Sequence, residues 1–162
     1  LANGDIIFFM EDDDWYHPDY IEYMLSQLGQ NDLIGLNGFP YYNVYYRCFG
    51  LRQPVVGAAM GTSVCRQSIV WELQAVLDEG DDCIDTRLWE RLEGRTDIPH
   101  TTVDNPGVFV GIKGMPGRPG WMSWHRQDNP GQRDINLSLL ERWTGMKDAR
   151  AYREFMKPGL TV

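Results

Sequence analysis

Four consecutive carboxylates, Glu11-Asp12-Asp13-Asp14, are the residues of this chain best suited to chemistry. Carboxylates this close repel one another unless a cation relieves the repulsion. Hard divalent cations take oxygen ligands of this kind, and Mg²⁺ usually shares them with substrate phosphates. The run therefore predicts a divalent metal site that also holds a phosphate-bearing ligand. The alternative is a solvated acidic loop in which Asp14 or His17 caps the helix that follows.

A second group of carboxylates stands at the start of a predicted helix. Asp81 and Asp82 come before its apolar face, where acidic residues suit N-capping and the helix dipole. Asp85 is different because it lies in the first turn, beside the face formed by Leu88 and Trp89. A carboxylate in such a place can act as a general base.

Basic residues are spaced along a glycine-rich segment, 111–120, and just after it. Lys113 and Arg118 lie within the segment, and His125 and Arg126 follow. Flexible backbone with spaced cations is typical of a clamp or lid over a diphosphate, although a mobile surface loop with solvated charges has the same composition. The imidazole of His125 could complete a Mn²⁺ site, whereas a lone histidine is more often structural.

The apolar run 6–10 leads directly into the acidic run and must position it. The run is short and continuous, which predicts a strand buried on both faces, as in parallel sheets. Ligands of open α/β sheets bind at the C-terminal ends of such strands. The remaining pattern predicts strands over 32–37, 63–66, 97–103 and 107–112, and extended or hairpin structure over the tyrosine-rich segment 39–49. It also predicts helices over 18–28, 67–77, 136–143 and 148–156.

Two further segments have a structural and a binding interpretation. Four tyrosines could stack on sugars; they are Tyr41, Tyr42, Tyr45 and Tyr46. Side chains of this kind more often cover a half-buried sheet, and we favour that interpretation for most of the four. The small and glycine-rich segment 54–62 could let a ligand approach the backbone closely. It lacks the glycine spacing of dinucleotide and P-loop sites.

The composition of the chain limits the classes of binding partner and the cellular compartment that we expect. The chain has 162 residues and a net charge of −8, which argues against a nucleic-acid partner but is compatible with an anion bridged by a metal. Three cysteines without CxxC spacing predict reduced thiols and a cytoplasmic protein. No apolar run approaches the roughly 20 residues of a membrane span. Because the chain begins at the edge of a predicted strand, we expect a fragment that lacks an N-terminal segment.

The segment from Glu11 to Asp19 resembles the Asp-x-Asp segment of nucleotide-sugar glycosyltransferases with the GT-A fold, close to glycosyltransferase family 2. In that family an apolar strand, an acidic run, an aromatic residue and a helix-opening proline follow one another. The segment 81–92 resembles the second signature of the family, an acidic residue ahead of a Leu-Trp-x-Arg-Leu helix. Its register places Asp85 at the catalytic base. The chain departs from the pattern at Glu11, where Asp is usual, and at Ile84, where Glu is usual.

The resemblance implies an α/β fold with a GT-A-like mixed sheet flanked by helices, truncated at its N-terminus. It implies a catalytic domain over 1–130 and a helical C-terminal extension over 131–162. The expected activity is transfer of a hexosyl group from a nucleoside-diphosphate sugar to a hydroxyl of a glycan or other acceptor. The alternatives are a nucleotidyltransferase of similar fold, a non-catalytic glycan-binding module and an inactive remnant.

The resemblance also implies a role for each candidate residue. Asp13 and Asp14 hold Mn²⁺ or Mg²⁺, with His125 as the third ligand and Glu11 assisting. Asp85 deprotonates the acceptor if the enzyme inverts configuration. The remaining candidates contact the substrate and its diphosphate; they are Glu11, Asp12, Lys113, Arg118 and Arg126.

Overall fold

Two four-stranded mixed sheets organise the described part of the chain, residues 4–80, 83–115 and 133–156 of a computed structural model. The strands are β1 Ile6–Phe8, β2 Trp15–Tyr16, β3 Leu33–Leu36, β4 Phe39–Asn43, β5 Cys48–Arg52, β6 Ser63–Arg66, β7 His100–Val103 and β8 Phe109–Lys113. The helices are α1 Tyr20–Leu28, α2 Val70–Glu79, α3 Ile84–Leu92, α4 Ser138–Thr144 and α5 Met146–Tyr152. The fold is therefore α/β, as predicted.

Each sheet belongs to its own structural unit, and the units alternate along the chain. Unit 1 comprises Leu1–Glu11, Pro18–Gly38 and Gln53–Pro106. Unit 2 comprises Asp12–His17, Phe39–Arg52 and Gly107–Val162. The predicted division between a catalytic domain and a C-terminal extension, at residue 130, lies outside the described residues and stays a prediction.

The sheet of unit 1 has the strand order β1-β6-β3-β7. Strand β6 is antiparallel to both β1 and β3, and β3 is parallel to β7. The prediction that the first strand is buried inside a parallel sheet is wrong, because β1 is half-buried, antiparallel and at one edge of the described sheet. Its apolar run is nevertheless covered on both sides. Ile7 packs against the core cluster around Leu33, and Phe8 contacts the ring of Tyr20 on α1.

The three helices of unit 1 form where apolar periodicity predicts them. Helix α1 buries Tyr20, Met24 and Leu28 and ends at Gly29, which has a positive φ of 51° that glycine adopts readily. Its N-cap position is occupied by Asp19, so capping by Asp14 or His17 is wrong. Helices α2 and α3 bury one face each in the same core; the buried side chains are Val76, Leu88, Trp89 and Leu92.

The glycine-rich segment of unit 1 lies closely against other side chains of the chain. Gly57 has a φ of 60°, and a Cβ on it would overlap the indole ring of Trp89. A Cβ on Gly61 would lie 2.9 Å from Oε1 of Glu11. The close approach predicted for a ligand is thus made here by two of the protein's own side chains.

The sheet of unit 2 has the strand order β2-β8-β4-β5. Strands β4 and β5 form the predicted tyrosine-rich hairpin, β4 is parallel to β8, and β8 is antiparallel to β2. Tyr41 is 5% exposed and Tyr42 is fully buried, which confirms for both residues the interpretation that they cover the sheet. Because their ring faces are not accessible, neither can stack on a sugar.

The predicted C-terminal helices belong to the core of unit 2. Leu140 on α4 and Ala149 on α5 are fully buried in a cluster with Trp15, Val110 and other strand residues. The carboxylate of Asp134 accepts hydrogen bonds from the N–H groups at the start of α4, of which the one from residue 140 is 2.9 Å long. This satisfies backbone donors that the first turn of a helix leaves without partners.

A helix that could cross a membrane is not found among the residues that the structure describes.

Candidate functional site

Two adjacent carboxylates are buried in unit 2, directly before β2. Asp13 is 8% exposed as a residue, and the side chain of Asp14 is only 4% exposed. Charged side chains are rarely buried without a partner, because removing a charge from water is costly. The pair therefore requires compensating interactions, and strand β8 provides them.

Asp14 is fixed by the end of β8. Its Oδ1 accepts a hydrogen bond of 2.8 Å from the backbone N–H of Ile112. The same oxygen lies 3.2 Å from Nζ of Lys113. Hydrogen bonds to an ionised group are stronger than neutral ones, so these two contacts hold the Asp14 side chain in place against the sheet.

Lys113 is not part of a glycine-rich loop, as the sequence suggested, but the last residue of β8. Pattern reasoning placed it in the loop because Gly111 and Gly114 flank it; in the structure, Gly111 pairs within the same parallel ladder as Lys113. The ammonium of Lys113 contacts both acidic residues, at 3.2 Å from Asp14 Oδ1 and 3.7 Å from Asp13 Oδ2. Its role at a diphosphate stays a prediction.

Helix α5 places Asp148 against Trp15, and Tyr152 near the acidic pair. The indole N–H of Trp15 donates a 2.9 Å hydrogen bond to Oδ2 of Asp148. Burial, followed by the negative charges of Asp148, Asp14 and Asp13, raises the pKa of Tyr152 to about 12. A neutral phenol therefore lies within electrostatic reach of the pair at neutral pH.

The sequence did not identify Asp148 or Tyr152 as site residues. Trp15 and Asp148 are 133 positions apart, so no local spacing joins them. The available signal was the predicted helix over 148–156, which does not indicate whether that helix packs on the domain or which strand it covers.

The donor set around the pair fits a hard divalent cation. One carboxylate oxygen from each of Glu11, Asp13 and Asp14 lies within 4.8 Å of the others, a closeness that arises locally within four consecutive residues. All three donors are oxygens, which Mg²⁺ and Mn²⁺ prefer. Since acidic groups are common on protein surfaces, the fit depends more on the burial of the Asp13 and Asp14 side chains than on the number of carboxylates.

The candidate base, Asp85, lies in unit 1, in the first turn of α3. It is half-buried, and its Oδ1 accepts a 2.8 Å hydrogen bond from the N–H of Thr86. Helix α3 begins after Cys83, which occupies the N-cap position, while Asp81 and Asp82 lie outside the described residues. The buried Leu88 and Trp89 confirm the apolar face beside Asp85; its catalytic role stays a prediction.

The other basic candidates lie outside the described residues. Arg118, His125 and Arg126 fall within 116–132, so the structure does not place them. Of the candidates named from the sequence, the structure brings Asp13, Asp14 and Lys113 into one cluster in unit 2.

A scan of protein-family models and a search of curated proteins both find no match to this chain.

Proposed function

We propose that this chain is a metal-dependent glycosyltransferase with a GT-A-like fold. It transfers a hexosyl group from a nucleoside-diphosphate sugar to a hydroxyl of a glycan or other acceptor. The proposal joins the two sequence signatures described above to one structural observation. That observation is the buried pair Asp13 and Asp14, with 3.2 Å and 2.8 Å contacts fixing Asp14 at the end of β8.

The proposed metal ligands are Asp13 and Asp14, with Glu11 assisting. A divalent cation held there would neutralise charge on the diphosphate as it leaves. The contact between Asp14 and the backbone of β8 supports this assignment. A carboxylate that is already held in place loses little conformational freedom when a cation binds to it. Asp12 and the basic residues Lys113, Arg118 and Arg126 complete the proposed diphosphate contacts, and His125 is the proposed third ligand.

Asp85 is the proposed general base. In this reaction the acceptor hydroxyl oxygen forms a bond to the anomeric carbon while the bond from that carbon to the diphosphate breaks. Asp85 would take the hydroxyl proton, which prevents positive charge from building up on the attacking oxygen. Asp85 is half-buried beside the apolar face of α3, so its carboxylate is partly shielded from bulk water.

The two alternative functions differ from the proposed one in the product that is released or in the surface that binds glycan. A nucleotidyltransferase would also use paired carboxylates but would release pyrophosphate rather than a nucleoside diphosphate. A glycan-binding module based on the tyrosine hairpin is less well supported, because Tyr41 and Tyr42 are buried. We further assign the reaction to the cytoplasm, an assignment that rests on the spacing of the three cysteines in the sequence, which contains no CxxC motif.

The test is product analysis with nucleotide sugars and Mn²⁺. We expect release of nucleoside diphosphate, and we expect Asp85→Asn to abolish it while leaving Mn²⁺ binding near normal, because only proton acceptance is lost. The matched control is Glu90→Gln, which removes an exposed carboxylate from the same helix and should retain activity. Release of pyrophosphate, or normal turnover by Asp85→Asn, would contradict the assignment.

A further inference from the structure

Lys113 is a cation already in contact with the acidic pair. Its side chain is 19% exposed, and its Nζ lies 3.2 Å from Asp14 and 3.7 Å from Asp13. A lysine this far out of water would be costly to bury alone. The two carboxylates stabilise its charge, and it reduces the repulsion between them.

The two carboxylates depend on Lys113 to different degrees. Asp14 has a second donor, the N–H of Ile112 at 2.8 Å, which holds it whether or not the ammonium is present. The contact between Asp13 and Lys113 is 3.7 Å long, which exceeds an ordinary hydrogen bond. Asp13 is therefore the carboxylate that can exchange one cation for another with the smaller loss.

We propose that Lys113 is the resident counter-ion of the acidic pair, and that a divalent cation displaces its ammonium from Asp13. This inference rests on the proposed function, because it concerns the same carboxylates. An ammonium and a divalent cation repel each other strongly within a few ångströms, so both cannot occupy the same carboxylate oxygens. Lys113, the last residue of β8, therefore lowers the affinity of the acidic pair for a divalent metal by competing with it.

The exchange predicts that replacing Lys113 by an uncharged residue increases the affinity for a divalent metal. Lys113→Met should bind Mn²⁺ at least about tenfold more tightly than the unmodified chain, because the competing charge is gone. Lys113→Arg, which keeps a cation at the pair, should bind Mn²⁺ with nearly unchanged affinity. The matched control is Lys147→Met, which removes the same charge from an exposed position on α5 and should change the affinity less than threefold. Calorimetric titration measures the Mn²⁺ affinity of the unmodified chain and of the three variants.

A measurement on the unmodified chain avoids any folding defect of the variants. Saturating Mg²⁺ should increase the rate at which Lys113 is acetylated, relative to Lys147, because the metal removes Asp13, one of the two carboxylates that hold the ammonium. Peptide mass spectrometry after brief treatment with an acetylating reagent gives both rates. An unchanged or slower rate at Lys113, with Mg²⁺ bound, would overturn the exchange.

The possible results separate this inference from the proposed function. If the unmodified chain binds Mn²⁺ and Lys113→Met binds no more tightly than Lys147→Met, the exchange is overturned and the proposed function stands. If only Lys113→Met binds Mn²⁺, the competition is supported and the metal dependence of the unmodified chain is contradicted. If neither the unmodified chain nor Lys113→Met binds Mn²⁺, both the cation exchange and the proposed function are contradicted.

Discussion

A carboxylate buried beside an ammonium and a carboxylate in an exposed ion pair serve different purposes, and this chain contains both. The side chain of Asp14 is 4% exposed and is fixed by the backbone of β8 as well as by Lys113. Asp97 is 65% exposed and is paired with Arg95 at 2.7 Å. The first arrangement organises a site at the cost of desolvation, whereas the second is a surface contact with little effect on stability.

The exposed pair gives a direct test of the side-chain geometry. Two hydrogen bonds from the Arg95 guanidinium lower the pKa of Asp97 to about 2. Because this pKa is lower than in the unfolded chain, the small stabilisation that the exposed pair provides is present above about pH 4 and is lost as the pH falls toward 2. Arg95→Gln should return the pKa of Asp97 toward its ordinary value, as measured by NMR titration. Arg87→Gln is the control, and an unchanged pKa in Arg95→Gln would refute the pairing.

At this scale the sequence was informative where residues are adjacent and uninformative where they are distant. The acidic run and the position of Asp85 beside Leu88 and Trp89 follow from local spacing. The contact between Asp14 and Lys113 does not, because 99 positions separate them and only the pairing of β2 with β8 brings them together.

At the scale of elements, helices were easier to predict than the environment of strands. Helix α3 shows its buried face at a period of three to four residues, which only one orientation satisfies. The apolar run of β1 does not carry such information, because an edge strand covered on both sides has the same composition as a central strand. The run therefore predicted a strand correctly and its place in the sheet wrongly.

The C-terminal helices are part of the core of unit 2, and this can be measured. Leu140 on α4 is fully buried, so Leu140→Ala should lower the free energy of unfolding by about 2–5 kcal/mol. Leu51→Ala removes the same atoms from a side chain that is 80% exposed, and should cost about 0.5 kcal/mol or less. Urea denaturation monitored by tryptophan fluorescence compares the two variants. Equal losses would contradict the packing of α4 on this sheet.

At the scale of the whole molecule, the two structural units cannot be recognised from the order of segments along the chain, because their segments alternate. Each unit is assembled from three segments, and the acidic run contains the step from unit 1 to unit 2, after Glu11. Pattern analysis reads a chain linearly, so it predicted most elements but not how they are divided between two sheets. The resemblance to GT-A glycosyltransferases supplied the expectation of a fold family and a reaction, which composition and periodicity alone do not provide.

The central claim is that Asp13 helps to hold a divalent metal together with a nucleoside diphosphate. The most direct test is calorimetric titration of Mn²⁺, with and without UDP or GDP, into the unmodified chain and Asp13→Ala. Asp78→Ala, which removes an exposed carboxylate from α2, is the control. We predict metal-dependent nucleotide binding that Asp13→Ala abolishes and Asp78→Ala retains. Absence of Mn²⁺ binding, or equal binding by Asp13→Ala, would contradict the claim and leave the acidic pair as a structural partner of Lys113.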